Sequence, residues 1–156
     1  MPIEIVFADS RWKRIAALAE YIIKAHALAF TKRDRAKLTS LRLSNDKEIK
    51  ILNRNWRGKN KATNVLSFPA GQQKLPRGEM KMFGDLILSY DTCIKEAKAA
   101  GKTLRDHAVH LVIHGLLHLI GHDHINEADA VKMESREIRI LAKLGIANPY
   151  VLEDEL

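Results

Sequence analysis

The stretch "TLRDHAVHLVIHGLLHLIGHDH", from Thr103 to His124, decides the fold. Most of it is typical of a long helix, with Thr103 and Asp106 as capping residues at its start. Gly121 ends the helical pattern, because glycine readily adopts the left-handed conformation that terminates a helix and turns the chain. We therefore predict a central helix around which the other elements are arranged.

Outward from this helix, strands alternate with helices along the chain of 156 residues. The predicted strands are 3–7, 37–44, 64–70 and 82–90, and the predicted helices are 10–29, 45–56, 91–101, 103–121 and 126–145. This order predicts an α+β fold in a single domain, 1–156. It has a mixed four-stranded sheet packed with about five or six helices, a metal site at the end of the central helix and an acidic tail at 152–156. The strands on either side of a polar loop, Gly71–Lys81, are expected to pair antiparallel.

Local patterns add expectations for single residues. Ser10 is a plausible N-cap of the first helix, and Asn45 or Ser44 caps the second. In the second helix the side chains expected to face inward are Ile49, Leu52 and Trp56. The single cysteine, Cys93, is expected to pack as a small hydrophobic residue.

The chain is basic, with a formal net charge of +7 and a pI of about 9.6. Without the tail acids Glu153, Asp154 and Glu155 the balance is 26 − 16 = +10, so the body of the protein is more basic than the total suggests. Such a charge favours polyanions, RNA above all, although many basic proteins bind none. No apolar run reaches about 18 residues and no signal-peptide pattern is present, so we expect a cytoplasmic protein without a membrane partner.

Six of the seven histidines fall within residues 107–124, and three of them have the spacing of metal ligands. His114 and His118 lie one helical turn apart on the same face. The turn at Gly121 can bring His124 back to the same point. Three imidazoles leave one tetrahedral position open, which is typical of a catalytic zinc. Nickel or iron remains an alternative from the residues alone.

The same spacing, H-x-x-x-H-x-x-G-x-x-H, occurs in metzincin proteases. Those proteases have a glutamate after the first histidine as general base, whereas Gly115 stands here, which argues against a protease. His107 and His110 are expected near the site without being ligands. His122 or Asp123 could orient an imidazole by a hydrogen bond.

Three motifs make the chain resemble the YbeY family of bacterial metal-dependent endoribonucleases. They are "HGLLHLIGHDH" (114–124), "LNRNWRGKNKATNVLSFP" (52–69) and "FGDLILS" (83–89). The resemblance covers about 45 to 145, in the family's order and spacing. Asn60 and Asn64 stand where aspartate is common, and His122 replaces a frequent tyrosine; none of these departures removes a presumed ligand.

The resemblance implies a single-strand-specific endoribonuclease that acts in ribosomal RNA processing, including maturation of the 16S ribosomal RNA 3′ end, and in ribosome quality control. Its partners would be single-stranded RNA and the small ribosomal subunit. It also implies one Zn²⁺ per chain, held by His114, His118 and His124, and an essential arginine, Arg57. A guanidinium fits phosphate oxygens in a bidentate way, and Lys59 and Lys61 would add charge on the same loop.

Cleavage of RNA offers a reason why the protease base can be absent. The ribose 2′-OH can serve as an internal nucleophile, with a metal-activated water taking its proton, although direct attack by water is equally open. Gly115 would leave room for a nucleotide beside the metal, and Asp85 would lie on a strand under the site in a supporting role. The alternatives are a non-catalytic, zinc-stabilised RNA-binding assembly factor and, less favoured, a divergent metalloprotease-like hydrolase. The oligomeric state stays open.

Overall fold

The computed structural model describes residues 2–70 and 81–150. The strands are β1 (Ile3–Phe7), β2 (Leu38–Ser44), β3 (Val65–Pro69) and β4 (Met82–Ser89). The α-helices are α1 (Leu18–Ala29), α2 (Asp46–Arg57), α3 (Tyr90–Ala100), α4 (Leu104–Leu119) and α5 (Glu127–Lys143). Two short 3₁₀ segments occur at Ser10–Arg14 and Asp34–Ala36. The predicted α+β fold with a mixed four-stranded sheet is confirmed. The predicted polar loop, except Lys81, and the acidic tail lie outside the described residues.

The sheet has the strand order β1-β2-β4-β3. β1 pairs with β2, and β2 with β4, in parallel, whereas β3 and β4 pair antiparallel as the sequence predicts. Successive side chains of a strand point to opposite faces, so β4 contributes to the packing on both sides of the sheet. Leu86 and Leu88 belong to the larger core, and Ile87 belongs to the smaller one.

The larger core lies between the sheet and the helix predicted to be central. α4 contacts β3 and β4 and also packs against α1, α3 and α5, which explains why it is apolar around much of its circumference. The smaller core lies on the other face, where α2 contributes Ile49 and β3 contributes Leu66 and Phe68. α4 and α2 therefore pack against β3 from opposite faces of the sheet.

The prediction of one helix over 10–29 is wrong. A 3₁₀ segment capped by the Asp9 side chain comes first, and Ser10 is therefore not the N-cap. Ala17 then adopts a left-handed conformation, φ = +61°, before α1 begins. In the 3₁₀ segment Trp12 is fully buried, and its Nε1 donates a hydrogen bond to the Ser44 carbonyl at 2.8 Å. This contact with the end of β2 belongs to the tertiary structure, and the helical pattern alone does not reveal it.

Several local predictions for the remaining helices hold. The Asn45 side chain caps α2, accepting from the Glu48 amide at 3.1 Å, and Thr103 caps α4 in the same way. Cys93 is buried, and burial raises the pKa of its thiol. Trp56 is the exception: Ile49 faces inward as predicted, but Trp56 is 45% exposed. No helix among residues 2–70 and 81–150 is long and apolar enough to cross a membrane.

Candidate metal centre

His114 and His118 lie on one face of α4, near its C-terminal end. Both are half-buried, and their Nε2 atoms are 3.0 Å apart. Two imidazole nitrogens bound tetrahedrally to zinc at about 2.05 Å lie about 3.3 Å from each other. The helix therefore presents two nitrogens at close to the separation that a shared ion requires.

The third histidine reaches the same point because α4 ends in a tight turn. The His122 amide donates to the Leu117 carbonyl at 2.9 Å, and Gly121 has φ = +99°, a combination that reverses the chain at the helix end. Asp123 then accepts a hydrogen bond from the amide of His124 at 2.7 Å and stabilises this loop. As a result, the ligand atoms of His114, His118 and His124 all lie within 4.8 Å of one another.

The donor set of this cluster fits a divalent transition metal. Three imidazoles are suited to zinc, and each must offer a neutral nitrogen to bind it. Burial lowers the pKa of His118, and the nearby imidazoles of His114 and His124 lower it further. The lowered pKa of His118 favours the neutral ring that a metal ion requires.

Sequence reasoning missed a carboxylate behind the cluster. Glu137 of α5 is fully buried, and its Oε1 lies 2.6 Å from His114 Nδ1. Burial raises the pKa of Glu137, but hydrogen bonds from His110, His114 and Tyr150 more than offset this and lower it to about 2. The ionised carboxylate accepts the proton of His114 Nδ1, so the free lone pair of His114 is on Nε2, which faces the cluster.

One signal for Glu137 was present in the sequence. The buried positions of α5 are 133, 137, 140 and 141, a helical stripe that is otherwise Met133, Ile140 and Leu141. A charged residue on such a stripe needs a buried partner. Tyr150, whose hydroxyl donates to the other oxygen of Glu137, follows the last helix and carries no comparable signal.

We expect Glu137→Gln to weaken metal binding by about 10- to 100-fold, the usual effect of losing an orienting partner of a metal-bound histidine. Glutamine keeps the size of the side chain but removes the charge that holds the proton on His114 Nδ1. Competition with a chromophoric chelator would measure the affinity. Glu96→Gln is the matched control, because Glu96 contacts His107 and none of the three clustered histidines. Equal affinities for the two variants would contradict the role of Glu137.

Two other predicted neighbours of the cluster also contact carboxylates. His107 Nε2 lies 2.9 Å from Glu96 Oε1, and His110 Nε2 lies 3.6 Å from Glu137 Oε1 and 3.3 Å from the Tyr150 hydroxyl. His122 Nε2 lies 3.3 Å from the Arg136 guanidinium, so this ring contacts an arginine and not an imidazole of the cluster.

Asp85 lies on β4, a strand that packs against α4, as the sequence predicts. Its side chain faces the opposite side of the sheet and lines a second groove with Ser40 and Arg42. The alternation of β4 explains this, because the neighbouring Leu86 points toward α4. This position on the far face of the sheet fits the structural role that the sequence suggested for Asp85.

Gly115 also has a role other than the one predicted. It is buried, and a Cβ at this position would lie 2.7 Å from Leu86 Cδ2 and 3.2 Å from Ser67 Oγ. The glycine therefore permits close packing of α4 on β3 and β4, and it does not open space for a nucleotide. A glutamate here, as in the proteases, would be directed into the sheet.

Arg57, the last residue of α2, faces the histidines across an open groove. Its guanidinium donates to the carbonyl of Ser67 and lies 5.3 Å from the centre of the Phe68 ring. The groove has a volume of about 940 Å³ and is lined by Arg57, the three clustered histidines, His107, His110 and Tyr150, among others. The structure thus brings the predicted arginine and the predicted ligands, at least 57 residues apart in sequence (114 − 57), into one groove.

Fold and site together define a class of protein: an α+β domain with a three-histidine centre where a buried helix ends, and a cationic side chain in the same groove. The model of the family described as "Endoribonuclease YbeY" matches residues 5–145. The chain belongs to this family, and the resemblance inferred from its motifs is confirmed.

Relatives named Endoribonuclease YbeY are similar over much or all of the chain. The one from Erythrobacter litoralis is 50% identical over 72% of this chain and 73% of its own length. The one from Ruegeria sp. is 39% identical over 99% of both chains. The solution structure of TM1509 from Thermotoga maritima matches with a TM-score of 0.58 at 21% identity, over 92% of this chain and 91% of that one, and so shares the fold.

Proposed function

We propose that this protein is a zinc-dependent, single-strand-specific endoribonuclease of the cytoplasm. It acts in ribosomal RNA processing, including maturation of the 16S ribosomal RNA 3′ end, and in ribosome quality control on the small subunit. The observation that carries the proposal is the groove in which the three-histidine cluster and Arg57 occur together. Membership of a family described as endoribonucleases supports RNA as the substrate.

In this proposal His114, His118 and His124 hold one zinc ion. When bound, the ion supplies Lewis acidity, which polarises a phosphoryl oxygen and acidifies water. Glu137 keeps the proton of His114 on Nδ1, and the Asp123 carboxylate fixes the backbone of His124. These contacts hold the histidines in place before substrate binds, which reduces the reorganisation needed during the reaction.

Arg57 binds the scissile phosphate. One guanidinium nitrogen is engaged by the carbonyl of Ser67, and the Phe68 ring supports the group, so its orientation is restricted. The remaining N–H groups are directed by this contact and can form two parallel hydrogen bonds to phosphate oxygens. They stabilise the negative charge that develops on these oxygens in the transition state.

The nucleophile in this proposal is the ribose 2′-OH. The 2′-oxygen gives its proton to water and forms a bond to the adjacent phosphorus, while the bond from phosphorus to the 5′-oxygen breaks. The leaving 5′-oxygen takes up a proton from water, and the products end in a 2′,3′-cyclic phosphate and a 5′-hydroxyl. Because Gly115 faces the sheet, the protein has no base at the position that proteases use, which favours a nucleophile within the substrate.

A non-catalytic RNA-binding assembly factor is the second candidate. Lys59 and Lys61 are exposed and follow Arg57 in the chain. Their positive charges favour RNA binding whether or not cleavage occurs. The distinguishing experiment incubates purified, metal-analysed protein with an end-labelled single-stranded RNA and with the same RNA in a duplex. We expect cleavage of the single strand, and its loss after chelation. RNA binding by the zinc-loaded protein without cleavage would favour the assembly factor.

RNA binding should weaken as salt rises. Each phosphate contact to a single strand contributes about −0.7 to the slope of log affinity against log salt. If Arg54, Arg57, Lys59 and Lys61 each make one contact, the slope is about −3. Titration of a labelled single strand at several salt concentrations measures it, and Lys61→Ala should reduce its magnitude by about 0.7. A slope near zero would contradict recognition through this basic turn.

A further inference from the structure

An exposed tryptophan lies beside the proposed catalytic arginine. The protein has two tryptophans; Trp12 is fully buried, whereas Trp56 is 45% exposed on α2. A large aromatic side chain that is exposed to solvent does not gain the free energy that its burial would provide. Tryptophan is enriched at surfaces where proteins bind partners. The exposure of Trp56 therefore points to a ligand outside the chain.

Trp56 and Arg57 line two different grooves. Arg57 lines the groove of the histidine cluster. Trp56 lines a second groove of about 760 Å³ on the other face of the sheet, together with the exposed Ile51 and the half-buried Leu52. The Cα atoms of consecutive residues are only about 3.8 Å apart. The C-terminal end of α2 is thus a ridge between the two grooves, which we call the α2 ridge.

The charge of the α2 ridge identifies the kind of ligand. Residues 49–64 contain five lysines and arginines and no aspartate or glutamate. Arg54, Arg57, Lys59 and Lys61 are all exposed. The adjoining second groove is lined by two cations, Arg42 and Lys47, and by three carboxylates, Glu4, Glu48 and Asp85, so the excess of positive charge is on the ridge itself. Cations that alternate with an exposed aromatic ring are typical of surfaces that bind single-stranded nucleic acid.

We propose that Trp56 stacks on a nucleobase of single-stranded RNA that crosses the α2 ridge. The neighbouring phosphate then lies at Arg57, and the strand continues into the groove of the histidine cluster. The bases of a duplex are paired and stacked on each other, so none is free to stack on the indole. The contact therefore also selects for single strands. This inference rests on the proposed function, because it names the contact that orients the RNA before cleavage.

Three substitutions at one position test the stack. Trp56→Ala should weaken binding of a labelled oligouridylate by about 5- to 150-fold, the range for loss of one stacked base. Trp56→Phe should retain most of the affinity, since it keeps an aromatic face. Trp56→Leu should behave like Trp56→Ala, since it is apolar but cannot stack. Val131→Ala, at a site 56% exposed on α5, is the matched control and should bind as the unaltered protein does.

Fluorescence gives a second measurement on the unaltered protein. Oligouridylate should quench the emission of Trp56, and the same titration of Trp56→Phe should leave the emission of the buried Trp12 unchanged. Affinity unchanged in Trp56→Ala, or equal affinities of the Leu and Phe variants, would overturn the stack. If Trp56→Ala binds RNA normally but no longer co-sediments with the small ribosomal subunit, the stack is overturned and Trp56 instead contacts a protein partner. If the unaltered protein binds no RNA, both the stack and the proposed function are wrong.

Discussion

His124→Ala is expected to abolish stoichiometric zinc in the purified protein. A three-ligand centre that loses one imidazole retains only two, and the loss of affinity should exceed the roughly 10- to 100-fold effect of removing an orienting partner. His124 is a good residue for this test because its side chain is 58% exposed and lies in a loop after α4, so its removal should leave the fold intact. Elemental analysis and competition with a chelator measure the result.

His114→Ala and His118→Ala should have the same effect on zinc as His124→Ala. His107→Ala is the matched control, because His107 lies on the same helix and in the same groove but contacts Glu96. It should keep a zinc content near one per chain. An empty site in His107→Ala together with full zinc in His124→Ala would show that the proposed ligand set is wrong.

Arg57→Lys should bind single-stranded RNA almost normally and cleave it poorly. Lysine keeps the charge and therefore most of the phosphate attraction, but it loses the two-point geometry of the guanidinium and its contact with Ser67. Removal of one positioned donor to a developing oxyanion lowers kcat by about 100- to 1000-fold, and a comparable loss is expected here. Single-turnover cleavage and binding, measured on the same labelled RNA, separate the two effects. Arg54→Lys on the same helix is the control.

A modified substrate tests the nucleophile in the same assay. If the 2′-OH attacks, a 2′-deoxy or 2′-O-methyl sugar at the scissile position should block cleavage, and unmodified RNA should give a 2′,3′-cyclic phosphate or its opened form. Ordinary cleavage of the 2′-O-methyl strand with a 3′-hydroxyl product would instead indicate attack by water. His122 and Asp123 would then be the first residues to replace in the search for a base.

The sequence by itself determined the features that depend on neighbours within a few residues. The Asn45 and Thr103 caps each accept from an amide three residues ahead, so the starts of α2 and α4 could be predicted. The spacing of His114 and His118 places both on one helical face, and the glycine that follows turns the chain toward His124. Each of these interactions joins residues that are close together in the chain, so the residue types at those positions are enough to predict it.

Only the tertiary structure decided which distant segments meet. Glu137 lies 23 residues from His114, and Tyr150 lies 13 residues from Glu137, so the hydrogen bonds that orient the cluster depend on how α5 and the residues after it pack on α4. The exposure of Trp56 and the packing of Gly115 on Leu86 were likewise decided by the sheet. A helical pattern specifies the faces of a helix, but the neighbour that each face meets depends on the burial of the whole chain.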